Sequence, residues 1–182
     1  RALREGSEAW PDASIRIRVN GASYKLPLRV WDNVPSDATV TVSISRLTEA
    51  AGGELNAALK RQGCAMVAKP IDFALYADGK EMTNLGGIYT ERTIVLDASA
   101  APGRSTVVWI DSAGRPHVVP SVFETENGEN VATFYAPHNS LYTAVRSDRT
   151  FADVKGHWAR EDVELLASKL VIHGVSADTF AP

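Results

Sequence analysis

The sequence has a single cysteine, Cys64, so no disulfide can close within the chain, and no Cys/His set has the spacing of a zinc site. No run approaches the ~18 apolar residues of a membrane span. The opening stretch RALREGSEAW has no apolar signal core, which reads as a mature or excised piece of a longer protein. Basic blocks are also missing. Lys and Arg number 19 against 22 Asp and Glu, and the densest basic spot is RIR at 16–18. That balance argues against a nucleic-acid or membrane-surface partner. There is no phosphate-cradling glycine loop, nucleophile elbow or metal triad, so no enzyme activity, cofactor or metal is expected. One cysteine does not argue against secretion, and Cys64, beside Met66 and Val67, reads as core filler.

What is present is a chain of 182 residues with 45% hydrophobic content, enough for one good core. Alternation of period two runs through most of it. In SIRIRV, Ile15, Ile17 and Val19 alternate with Ser14, Arg16 and Arg18, the pattern of a strand with one wet face. YKLPLRV sets Leu26, Leu28 and Val30 on one side, and its Pro27 suits an edge strand. ATVTVSIS turns Val40, Val42 and Ile44 inward, and IDFALYA does the same with Ile71, Phe73 and Leu75. STVVWI is apolar on both faces and reads as a central strand. Turns are expected at Asp78-Gly79, DSAGRP and NGEN. Only GGELNAALKRQG breaks the alternation, with Leu55, Ala58 and Leu59 predicting one short helix at about 53–62 ended by Gly63. Short strands joined by Gly and Asn turns predict an antiparallel β-sandwich or a related barrel over residues 1–146; the sandwich is the expected form, of immunoglobulin-like or ZU5-like kind.

The last 32 residues differ from the rest. From Trp158, HWAREDVELLASKL places Val163, Leu166, Ala167 and Leu170 on one helical face, with Arg160, Glu161 and Glu164 on the wet side. A helix of this length cannot bury that face alone, so it must pack on the β domain, on a second copy or on further sequence. Self-association through this tail is one expected consequence.

The run F-x-D-V-x-x-H-W-A, followed by Leu165-Leu166, V-I-x-G-V and F-x-P, resembles the opening of an S-layer homology module, the unit that fixes bacterial proteins to cell-wall polysaccharide. Phe151, Asp153, Val154, His157, Trp158 and Ala159 match its first signature; Leu165, Leu166 and Ala167 match its first helix; Val171, Ile172, Gly174, Phe180 and Pro182 match its loop. Leu170 stands where the family usually has glycine, and the module's second half is not in the sequence. The resemblance therefore divides the chain into a β domain at 1–146, a linker at 147–150 and the N-terminal part of a module at 151–182. The stretch from Val107 to Val145 is similar to β domains that precede such modules in surface proteins of Gram-positive bacteria, on His138, Ser140, Tyr142 and Val145. Together these imply an extracellular, wall-associated, non-catalytic spacer, whose module binds wall polysaccharide when complete.

Two rivals carry their own residues. His138-Asn139-Ser140 is similar to the His-x-Ser turn at which certain β domains cleave themselves, here between Asn139 and Ser140, although those domains usually carry a large apolar residue at the middle position. The plainer reading is a hydrogen-bonded turn before the last strand. A carbohydrate-binding module would need two of Trp10, Trp31 and Trp109 exposed on one face. Glu124, Glu126 and Glu129 lack calcium-loop spacing and read as a solvated hairpin, and Glu161-Asp162 as an exposed helix face.

Overall fold

The computed structural model describes residues 2–32, 34–98, 100 and 102–182. Its elements are α1 (Ala2–Ala9), β1 (Ser14–Val19), β2 (Ala22–Pro27), β3 (Val40–Arg46), α2 (Glu49–Arg61), β4 (Ala65–Met66), β5 (Ile71–Ala77), β6 (Lys80–Glu81), β7 (Thr90–Val95), β8 (Ser105–Ile110), β9 (Pro116–Val119), β10 (Ser121–Glu126), β11 (Glu129–Ala136), β12 (Leu141–Arg146) and α3 (Arg160–Ser168). They form the expected mainly antiparallel β-sandwich. One sheet runs β1-β2-β7-β11-β10; the other runs β3-β5-β12-β8-β9, with β4 added to β12 and β6 to β5.

Local chemistry sets the hairpins. Asn20-Gly21 joins β1 to β2, Asp78-Gly79 joins β5 to β6, and Asn127-Gly128 joins β10 to β11, each pair with both φ angles positive. That geometry matches the strand twist and excludes β-branched residues. The core lies between the sheets around Phe73, which meets Tyr24, Phe134 and Tyr142 edge-on at centroid distances of 5.4, 6.5 and 6.0 Å.

β8 is buried on both faces, as its composition predicts: Val107 enters the inter-sheet core, while Val108 and Ile110 join Val145, Leu59 and Cys64 on the outer face. That outer face is covered by α2. The other sheet keeps its outer face wet, with Arg16, Lys25 and Glu91 in a cross-strand ion network.

Four expectations are corrected. The helix at about 53–62 is α2, and it starts earlier, at Glu49, because the Thr48 hydroxyl accepts the Ala51 N–H and caps it; Gly52 and Gly53 lie inside the helix. The chain also forms α1, which the alternation does not predict, and α3, the expected C-terminal helix. β2 is an interior strand, and Pro27 is tolerated because it is the last residue, beyond the β7 pairing that ends at Lys25. Leu28 and Val30 are buried as expected, but in a 3-10 turn (Leu28–Trp31), not a strand. In β1 the alternation exists without the burial, since nothing covers that edge: Ile15 and Val19 are exposed and Ile17 is half-buried.

Candidate functional site: the C-terminal segment and its seat

Residues 151–182 build a small core of their own. Phe151, Val154, Val163 and Ala167 are buried together, with Ala159, Ile172 and Phe180 packed around them. The Phe151 and Phe180 rings sit 5.5 Å apart. Asp153 closes the segment. Its carboxylate accepts the Phe180 N–H at 2.9 Å and the Ala181 N–H at 2.7 Å, joining residues 28 apart in sequence. Ala152 N–H to Asp178 C=O, 2.8 Å, runs alongside. Gly174 leaves no room: a β-carbon there would lie 2.4 Å from the Thr179 carbonyl oxygen and 2.5 Å from the Phe151 ring.

The Phe180 and Ala181 amides hold the Asp153 carboxyl below its ordinary range. A depressed acid contributes stability above its unfolded value near 3.9, and loses it as pH falls through the folded value. Amides of 178–181 are therefore expected to exchange faster at pH 3 than the intrinsic rate change predicts, and the Asp153→Asn chain to show that loosening already at pH 6. Unchanged protection in both would remove Asp153 as the closure.

The helix α3 is shorter than the sequence predicts, nine residues from Arg160. His157 precedes it with Nδ1 accepting the Ala159 N–H at 3.2 Å. Glu164, expected on the wet side, is buried, and its carboxylate takes the Arg160 guanidinium at 2.9 Å. At the C-terminus, Val171 N–H bonds to Leu166 C=O and Leu170 N–H to Ala167 C=O, both 3.0 Å. This is a Schellman turn, whose left-handed residue is usually glycine. Here it is Leu170, at φ 58°, a conformation that costs about 1–2 kcal/mol for a residue with a β-carbon.

The linker at 147–150 is not free. Ser147 is buried and its N–H donates to Ser168 C=O at 3.0 Å; the Arg149 guanidinium lies against Gly63. Leu170 packs on the α2/β8/β12 cluster with Cys64, Val108, Ile110 and Val145. Of the sequence-matched residues, the fold brings Phe151, Asp153, Val154, Gly174 and Phe180 together. Trp158 is 87% exposed, and Leu166, Val171 and Val175 are also open to solvent.

The second candidate, His138-Asn139-Ser140, is built into the sandwich. Asn139 Oδ1 accepts the Tyr24 hydroxyl at 2.6 Å and Arg92 Nη2 at 3.0 Å, while its Nδ2 donates to Met82 C=O at 2.7 Å. His138 Nδ1 faces the Tyr142 hydroxyl at 3.2 Å, and no hydrogen bond joins His138 to Ser140 among the described residues. Burial, aided by the Arg92 charge, lowers the His138 pKa, and burial pushes Tyr142 up to about 12. Neither a cis bond nor a positive φ occurs at 138–140.

Arg92 is the residue that sequence reading missed. Alternation with Thr90 and Ile94 placed it on the core face, yet charge is ordinarily read as outward. His117, without an evident partner in sequence, bonds Asp111 Oδ2 through Nε2 at 3.0 Å and stacks on Trp109 at 4.3 Å. That hydrogen bond, with the Arg115 amide, lowers the Asp111 pKa. Trp31 is buried, Trp10 is exposed and Trp109 packs half-buried against the core, so Trp31 can take no part in the tryptophan platform that a carbohydrate-binding module would need. Glu126 and Glu129 flank the β10–β11 hairpin turn, and no group of three or more His, Cys, Asp or Glu side chains able to hold a metal occurs among the described residues.

Known proteins bear on the tail. The S-layer homology domain family matches residues 150–182, one residue ahead of the Phe151 boundary. Amylopullulanase of Thermoanaerobacterium thermosulfurigenes is 40% identical over 50 residues, which is 28% of this chain and 3% of the amylopullulanase. The chain thus spans a small fraction of that relative's length. No solved structure matches the chain. No described helix is long and apolar enough to cross a membrane. Residues 150–182, closed by Asp153 and packed around Phe151, are an S-layer homology segment, the mark of a cell-surface protein, joined here to a β-sandwich.

Proposed function

We propose that the β-sandwich is a non-catalytic spacer of a wall-anchored, secreted bacterial protein of Gram-positive type. Complete S-layer homology modules would supply its hold on secondary cell-wall polysaccharide. The observation that carries this reading is the family match at 150–182, on a segment whose signature residues converge in one small core. The hydrogen-bonded Asn139 supports a structural turn over self-cleavage before Ser140.

A second reading has one observation behind it. Tyr135 is exposed on the wet face of the first sheet, where its hydroxyl is fixed on Glu91 Oε2 at 3.0 Å between Arg16 and Lys25, and Tyr89, just before β7, is exposed as well. Rigid aromatic faces edged by hydrogen-bonding charges suit pyranose rings, and would make this a carbohydrate-binding face. Sedimentation with purified cell walls separates the two. The spacer reading expects the 182-residue chain to stay in the supernatant, a version extended through complete modules to pellet, and polymer extraction to abolish pelleting. If the 182-residue chain pellets equally and Tyr135→Ala releases it, the sandwich itself holds the sugar site and the spacer reading fails.

A further inference from the structure

We propose that Leu170 is a clasp that fixes the S-layer homology segment onto the sandwich, making the two one rigid body, with the partner surface formed by α2, β8 and β12. The inference rests on the tail's geometry and stands whatever polymer the module binds.

Three observations converge. First, Leu170 occupies the one position of the α3 terminus at which a side chain is penalised. Both hydrogen bonds of the Schellman turn are made, so glycine would serve the turn better. A retained side chain at a strained position needs a contact that offsets the strain. Second, that contact exists outside the segment. The Leu170 side chain is absent from the segment's own core around Phe151 and Val163, and packs instead on the margin of the sandwich cluster formed by Leu59, Cys64, Val108, Ile110 and Val145. Third, the intervening linker is held at two points, by Ser147 N–H to Ser168 C=O at the α3 end and by the Arg149 guanidinium lying against Gly63 at the α2 end.

The surface Leu170 meets is built to receive it. Cys64 is only 3% exposed and Val108 and Val145 not at all, although they lie on the outer face of their sheet. α2 covers part of that face through Leu55 and Leu59, and Leu170 covers its margin beside Cys64. A cleft of about 630 Å³ opens at this margin, lined by Leu170, Cys64, His117, Arg149 and His173. Because the clasp is one apolar side chain, its removal exposes that margin without cutting a backbone hydrogen bond of either part.

The full chain tests this through its own unique thiol and through tumbling. In the native chain, backbone amides of β12 and α3 are expected to report one common rotational tensor by 15N relaxation, and Cys64 to react slowly with a disulfide reagent such as DTNB. Leu170→Gly relieves the left-handed strain, so the segment stays folded. It should nevertheless label Cys64 at least tenfold faster and give α3 a separate tensor. Leu170→Asn, which also tolerates a left-handed backbone but offers no apolar surface, should behave the same way. Common tumbling of β12 and α3 in both variants, with Cys64 labelling at the native rate, would overturn the clasp.

Discussion

Replacing Gly174 with alanine opens residues 151–182 and leaves the sandwich folded. The added β-carbon would meet the Thr179 carbonyl oxygen at 2.4 Å, the Phe151 ring at 2.5 Å and the Ser176 carbonyl oxygen at 2.8 Å. Two of these are backbone atoms, and they cannot swing aside because Ser176 N–H is bonded to Thr179 C=O at 3.2 Å. The third belongs to the largest side chain of the segment's core. Overpacking of this kind costs about 1–3 kcal/mol or more. A unit this small has about 3–5 kcal/mol at most from its own core, so the penalty removes most of what holds it. Hydrogen exchange read by mass spectrometry should show 151–182 losing protection roughly in proportion, about 10- to 100-fold at 1.4 kcal/mol per decade. The β12 amides should be unchanged. Native protection throughout 151–182 in Gly174→Ala would show that the loop can yield, and that its fit around Gly174 is not a requirement.

Arg92→Met should cost the sandwich a large part of its stability. The Arg92 side chain is fully buried, and among the described residues no carboxylate pairs with it. Its guanidinium is solvated by the protein instead: Nη1 donates to Thr90 and Ala136 carbonyls at 3.3 and 3.1 Å, and Nη2 to the Tyr24 hydroxyl, the His138 carbonyl and Asn139 Oδ1 at 2.9, 3.1 and 3.0 Å. The charge also lies over the Tyr24 ring, 4.4 Å from its centroid. Burial lowers the Arg92 pKa, yet a guanidinium keeps its proton in a protein. Exchanging a buried ion for an apolar side chain is often neutral where the partners leave with it. Here they stay: Asn139 Oδ1 and the Ala136 and His138 carbonyls keep a second donor each in the Tyr24, Thr90 and Tyr142 hydroxyls, but all lose a charge-assisted bond worth about 1.5–3 kcal/mol, less than additively. We expect a loss of about 3–5 kcal/mol, a large part of an ordinary domain's 5–15 kcal/mol. The urea midpoint should fall by roughly 2 M. Arg92→Lys should not restore it, since a point ammonium cannot fork to five acceptors. A midpoint shift in Arg92→Met of less than about 0.5 M would sink the account, because the acceptors would then have found other donors.

Much of this protein is legible without coordinates. The hairpins at Asp78-Gly79 and Asn127-Gly128 follow from residues that tolerate positive φ, and the inward faces of β3 and β5 follow from alternation. Both are effects of near neighbours. The S-layer homology segment is equally local, a spaced set of residues in one stretch. Legibility fails where the outcome depends on what covers a face. β1 alternates as well as β3 does, but lies at an uncovered edge. Pro27 suits an edge strand by its chemistry and stands at the end of an interior one.

The sequence by itself determined the mainly antiparallel sandwich, the absence of any intrachain disulfide and the identity of the tail, because period, turn chemistry and motif spacing act over a few residues. Only the tertiary structure decided that a charged Arg92 is a core residue, that Glu164 is buried and that Leu170 looks back onto the sandwich. The first and the last depend on partners far away in the chain, Tyr24 and Asn139 for Arg92, and the cluster of Cys64 and Val108 for Leu170. Burial is a property of the surrounding packing, and no periodicity within one segment encodes it.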